Sequence, residues 1–74
     1  MTSKRELTVP GSALTPRERE ILTIAGKGMK DAEIAALLGL TKYTVNSYLQ
    51  VIYAKLDVSG RVEAAVWACK QGWL

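Results

Sequence analysis

Asn46, Ser47 and Gln50 are the residues whose types and spacing first suggest chemistry. On a helix of 3.6 residues per turn they share one side. The amides of Asn and Gln can pair bidentately with an adenine edge, and a serine hydroxyl can donate or accept. A helix face that merely meets solvent normally carries Glu and Lys instead. Uncharged polar residues are more often ordinary surface than a reading face, so the decision rests on the elements that hold them. Catalytic chemistry has little to work with. The chain contains no histidine, the commonest general base and metal ligand. It has no Cys-x-x-Cys pair and no Gly-rich phosphate loop, and nothing beside its Ser and Thr residues would activate them as nucleophiles. These residues imply no enzyme, no cofactor and no metal.

Four helical patterns position the polar trio. Thr15-Pro16-Arg17-Glu18 predicts a helix start: Thr15 caps, Pro16 has no N–H to satisfy, and Glu18 falls at the capping-box position. Ile21, Leu22, Ile24 and Ala25 supply its buried stripe, and Gly26-Lys27-Gly28 ends it near residue 27. A second, short helix begins near Lys30, with Asp31 as the expected cap. Ile34, Ala35, Leu37 and Leu38 form its apolar face, and Gly39 ends it. Only Leu40 and Thr41 separate Gly39 from the third helix, and so short a connection forces a sharp crossing. Thr41 is a good N-cap. Val45, Leu49, Ile52 and Leu56 follow at helical spacing and share the inner face. Tyr43, Asn46, Ser47, Gln50 and Ala54 are then left mostly outside. Asp57-Val58-Ser59-Gly60 reads as a loop whose Ser59 or Gly60 caps a fourth helix from about Arg61 to Lys70. Val62, Ala65, Val66 and Cys69 give that helix an apolar side, with Trp67 near its edge. Cys69, Tyr53 and Trp73 are expected in the core, and Trp73-Leu74 can fold back onto the bundle.

The whole is an all-α, compact four-helix domain containing a helix-turn-helix over about residues 31–56. A chain of 74 residues makes one domain with a modest core. Residues 1–13 show no helical period and read as a flexible leader or a linker remnant, without the apolar segment of a signal peptide. One cysteine cannot form an internal disulfide, and no apolar run is long enough to cross a bilayer. A cytoplasmic location is expected.

The net charge of +3 and pI near 9.2 are compatible with nucleic acid without requiring it. Placement says more. Lys42 lies at the entry to the third helix, Lys55 near its end, Arg61 at the start of the fourth and Lys30 at the start of the second. All four could flank the polar face and meet phosphates. Thr41, Thr44 and Tyr48 add neutral donors. Val51 is apolar on a flank where polar residues are usual, and could meet a thymine methyl or a sugar.

Leu14-Thr-Pro-Arg-Glu-Arg-Glu-Ile-Leu22, Glu33-Ile-Ala35, Thr44-Val45, Ile52-Tyr53-Ala-Lys-Leu56 and Arg61-Val-Glu-Ala64 together resemble the LuxR/GerE-type DNA-binding domain. The match runs without a gap from about Leu14 to Leu74. It implies a bacterial transcription regulator whose third helix reads double-stranded DNA in the major groove. The family's base-reading positions fall on Asn46, Ser47 and Gln50. Its phosphate-contacting positions correspond to Thr44, Lys55 and Arg61, with Lys30 nearby. It also implies a homodimer through the fourth helix on a two-fold operator, for which Val62, Val66 and Trp67 are the candidate contacts. RNA polymerase is a possible further partner.

Three departures from the family pattern matter. Asn46 stands where the family commonly has Lys, Tyr48 where it commonly has His, and Gly60 where Asn or Ser is frequent. The first removes a charge from the reading face, which lowers non-specific affinity and shifts preference from guanine toward adenine. The same neutrality motivates an alternative: a protein-interaction module of this fold that pairs with another regulator or RNA polymerase and binds DNA weakly. A leader before such a domain suits a stand-alone regulator, or an effector domain cut from a sensor. The latter is expected, since most proteins with this domain carry a sensor.

Overall fold

The computed structural model describes residues 14–74; the expected leader, residues 1–13, lies outside the described residues. Four helices follow one another: α1 (Pro16–Gly26), α2 (Asp31–Leu38), α3 (Lys42–Leu56) and α4 (Arg61–Lys70). Among the described residues there is no strand, and no helix is long and apolar enough to cross a membrane.

The start of α1 forms as its residue types dictate. The Glu18 amide donates to Thr15 Oγ1 at 3.1 Å, and the Thr15 amide donates to Glu18 Oε1 at 2.8 Å. Two donors without helical partners are thereby satisfied by one reciprocal box. At α2 the N-cap is Lys30, not Asp31 as expected. A lysine cannot accept a hydrogen bond, so only the return half of the box exists: the Lys30 amide donates to Glu33 Oε1 at 2.8 Å. Asp31 sits in the first turn, facing the helix dipole, and its carboxylate is taken by Arg61.

The core is built from Leu14, Ile21, Leu22 and Ala25, then Ile34 and Ala35, then Val45, Leu49, Ile52 and Leu56, and finally Ala64 and Ala68. α1 lies against α4 and α3, and α2 packs on α3. Gly39 turns the chain between α2 and α3. Its φ of +69° is a left-handed conformation that a Cβ would strain. That conformation lets the Leu40 amide reach back to Ala35 O at 2.9 Å.

Two expectations about packing are overturned. Leu37 does not join the α2 core face; it is 61% exposed. Ile34 and Ala35 complete that contact, and Leu38 only partly joins it. On α4 the expected stripe is rotated outward. Val62 is 78% and Val66 49% exposed, Cys69 is exposed, and the buried residues are Ala64 and Ala68. The alanines let α4 lie close over α1, where larger side chains would hold it off. Beyond α4, Gly72 at φ +80° sends Trp73 back to donate its amide to Ala68 O at 3.0 Å. The Trp73 ring meets Trp67 edge-on at 5.1 Å between centroids, and the Arg19 guanidinium lies 4.2 Å from the Trp73 ring centroid. Tyr53 and Trp73 are therefore partly buried against the core rather than enclosed in it.

Candidate nucleic-acid interface

The α3 helix begins at a fixed point. Thr41 Oγ1 accepts from the Thr44 amide at 3.0 Å and donates to Thr44 Oγ1 at 2.9 Å. The Thr41 proton is therefore engaged, and the Thr44 hydroxyl proton is the one left to meet an outside acceptor. Val45, Leu49, Ile52 and Leu56 anchor the inner face as the spacing predicts. With that face buried, Asn46, Ser47 and Gln50 all stand exposed on the other side. Tyr43, Val51 and Ala54 are exposed with them. Between Lys42 and Lys55 this helix carries no charged side chain.

The expected phosphate contacts divide into two groups. Lys30, Thr41 and Lys42 are exposed, and neither lysine is in an ion pair among the described residues. Tyr48 is partly buried, its ring packed against the core. Lys55 and Arg61 are only partly buried, but their charges are engaged by groups of the domain itself. Lys55 Nζ donates to Glu18 at 2.8 and 3.1 Å. Arg61 donates to the Asp31 carboxylate and, at 2.7 Å, to Met29 O. Each guanidinium or ammonium thus ties one helix to another: α3 to α1, and α4 to the start of α2.

Glu18 is the buried member of these pairs, 5% exposed. Burial works to raise its carboxyl pKa. The hydrogen bond from Lys55, the Thr15 amide and hydroxyl, and the charge of Lys55 outweigh burial and hold the group below its ordinary 4.5. Sequence reasoning found Glu18 as a capping residue and missed its second role. Its partner lies 37 residues away, with no local pattern to announce it. Sequence also placed Tyr43 outward without assigning it a contact.

Val62 and Val66, expected at a subunit contact, line a shallow depression of about 270 Å³ with Val58, Glu63, Trp67 and Lys70. Trp67 itself is half-buried through its ring partner. At the N-terminus of α4, Gly60 occupies the cap position without a side-chain bond. Ser59, the other expected cap, instead donates its amide to Glu63 Oε1 at 2.6 Å and its hydroxyl to the same oxygen.

Residues 12–68 match the model of the family described as "Bacterial regulatory proteins, luxR family". The chain is 35% identical over 68 residues to the transcriptional regulatory protein DesR of Bacillus subtilis, covering 92% of this chain and 34% of that protein. It is 43% identical over 63 residues to LiaR of the same organism, covering 85% of this chain and 30% of that one. It is 43% identical over 54 residues to the nitrate/nitrite response regulator NarL of Escherichia coli, covering 73% of this chain and 25% of that protein. The chain thus spans about a third or less of the length of these relatives. The solved structure of the transcription factor GerE superposes with a TM-score of 0.74 at 33% identity, covering 82% of this chain and 91% of that one.

Proposed function

Because the chain belongs to the luxR family of bacterial regulatory proteins, we propose that it acts by placing α3 in the major groove of a regulatory DNA site. The observation that carries this reading is the outer face of α3. Asn46, Ser47 and Gln50 are exposed there and take no part in the core, on the second helix of a tight helix-turn-helix. The first turn of such a helix ordinarily meets base edges, and contacts on either side hold it in register. Lys30, Lys42 and the Thr44 hydroxyl supply those flanking contacts, with Tyr48, Thr41, Lys55 and Arg61 at the margins. Two copies pair through Val62, Val66 and Trp67 of α4 and occupy two half-sites. DesR and LiaR are transcriptional regulatory proteins, and the proposed role is regulation of transcription without catalysis.

Fluorescence anisotropy on a duplex selected from a random pool tests this. Gln50→Ala is expected to weaken binding by about 1–3 kcal/mol and to relax one base position. Lys42→Ala is expected to weaken all sequences alike and to lower the salt slope by about one unit. Unchanged binding in both variants would remove α3 from the groove.

A second reading is favoured by the engagement of Lys55 and Arg61 with carboxylates of the domain itself. That engagement weakens the supply of phosphate-binding charge. On this reading the chain is an interaction module that pairs with another regulator or with RNA polymerase and binds DNA weakly. Failure to enrich any duplex, alongside tight association with a protein partner, would decide for it.

A further inference from the structure

The outer face of α3 holds more than three polar side chains. Residues four apart on a helix are neighbours along its surface. Asn46, Gln50 and Ala54 therefore make one row, and Ser47 and Val51 make the row beside it. At about 100° per residue both rows fall on the half of the helix opposite Val45, Leu49, Ile52 and Leu56. Val51 is 46% exposed. Tyr48 and Tyr53, on the flanks of the same helix, pack against the core, whereas Val51 does not. Nearly half of its surface is therefore left open to an outside partner. Along these rows the only charges are at the ends: Lys42 one step before Asn46, and Lys55, one step after Val51, which is bound to Glu18.

The base pairs of a major groove differ in what they present to such a face. Guanine offers two acceptors, N7 and O6, and its ordinary partner is a cationic bidentate donor. Such a donor is missing from the stretch between Asn46 and Ala54; of the two flanking lysines, Lys55 is engaged by Glu18 and Lys42 stands at the helix entry. An A·T pair offers an acceptor and a donor on adenine, together with the thymine O4 and its 5-methyl group. An amide supplies the matching donor and acceptor. An aliphatic side chain in the adjacent row supplies an apolar surface that can recognise the methyl.

We propose that α3 reads A·T base pairs, the amide row taking the adenine edge and Val51 lying against the 5-methyl of thymine. The inference rests on the groove-reading role proposed above and names the base-pair class and an additional specificity residue for it.

The test uses the 74-residue chain and duplexes it selects from a random pool, in which each thymine is then replaced singly by deoxyuridine. Uracil lacks only the methyl. A·T pairs are expected at the positions common to the selected duplexes. At one thymine in each half-site, loss of the methyl is expected to weaken binding about fourfold, the effect of exposing one methyl-sized apolar group. Val51→Ala, a surface substitution checked for helical content by circular dichroism, is expected to bind the thymine and uracil duplexes equally at that position, because it removes both γ-methyl groups from the contact. G·C pairs at the common positions would overturn the inference. So would indifference to uracil at every thymine, or a uracil effect that persists in Val51→Ala. A pool that enriches no duplex would sink the groove-reading role and this inference together. Enriched duplexes without thymine dependence would sink this inference alone.

Discussion

Glu18 closes the first turn of α1 and, from the same carboxylate, holds Lys55 near the end of α3. A carboxylate this buried is costly unless its hydrogen-bonding capacity is filled. Here an amide, a hydroxyl and an ammonium fill it. Lys55→Met should therefore destabilise the domain by about 1–3 kcal/mol at neutral pH, because an acceptor is left short of a partner in a buried place. The pH dependence gives a sharper test. The folded pKa of Glu18 lies below its ordinary 4.5. Its contribution to stability is then present above that value and lost as pH falls through the lower folded value. Urea denaturation of the parent chain should show this loss on acidification from about pH 5. In Lys55→Met burial has less to oppose it, so the folded pKa rises and the acid limb becomes shallower. An acid limb of unchanged steepness in the variant would mean that Lys55 does not hold the Glu18 charge.

At the scale of elements, the crossing of α2 and α3 depends on Gly39. A Cβ built there meets nothing within 4 Å, so the only obstacle to a side chain is the backbone conformation at φ +69°. Gly39→Ala should cost about 1–2 kcal/mol, the ordinary penalty for an L-residue in the left-handed region. The loss is expected in thermal denaturation. The spectrum of the folded state should remain unchanged, because no contact is broken. A loss well beyond this range would show that the turn is coupled to packing elsewhere. This junction was readable from the sequence because its signals are local: a glycine, a two-residue connection and a capping threonine. The α1 capping box and the inner face of α3 were readable for the same reason. The facing of α4 was not. Val62, Val66 and Cys69 make the more hydrophobic stripe on that helix, yet Ala64 and Ala68 are the residues buried. Periodicity finds where apolar residues cluster. How close two helices come is set by residue size, and by long-range ties such as Arg61 to Asp31 and Met29 O. The exposure of Leu37 has the same origin, since Ile34 and Ala35 already complete the contact of α2 with the core. The candidate reading face followed from α3 periodicity, whereas the engagement of Lys55 and Arg61 by partners 37 and 30 residues away had no local sign.

At the scale of the whole molecule, that rotation leaves two valines on the outside, on a helix with no neighbour on that side among the described residues. A helix of ten residues offers far less than the roughly 800 Å² per partner of a standard stable interface. Pairing through α4 alone should therefore be weak in solution and become effective when two half-sites hold two copies side by side, since the second contact is then intramolecular. Val62→Asp tests this pairing. Val62 is highly exposed and lies in the first turn of α4, where an added carboxylate favours the helix through its dipole. The fold should not suffer. Two copies facing each other would bring two like charges into an apolar contact, which opposes pairing. The expected outcome is unchanged affinity for a duplex carrying one half-site, together with loss of cooperative binding to a duplex carrying two. Titrations on both duplexes by gel shift read the two quantities separately. If cooperativity survives Val62→Asp, the two copies meet through another surface. If one-site affinity falls as well, the carboxylate is close enough to DNA to repel phosphate, and α4 lies nearer the backbone than a subunit contact would put it.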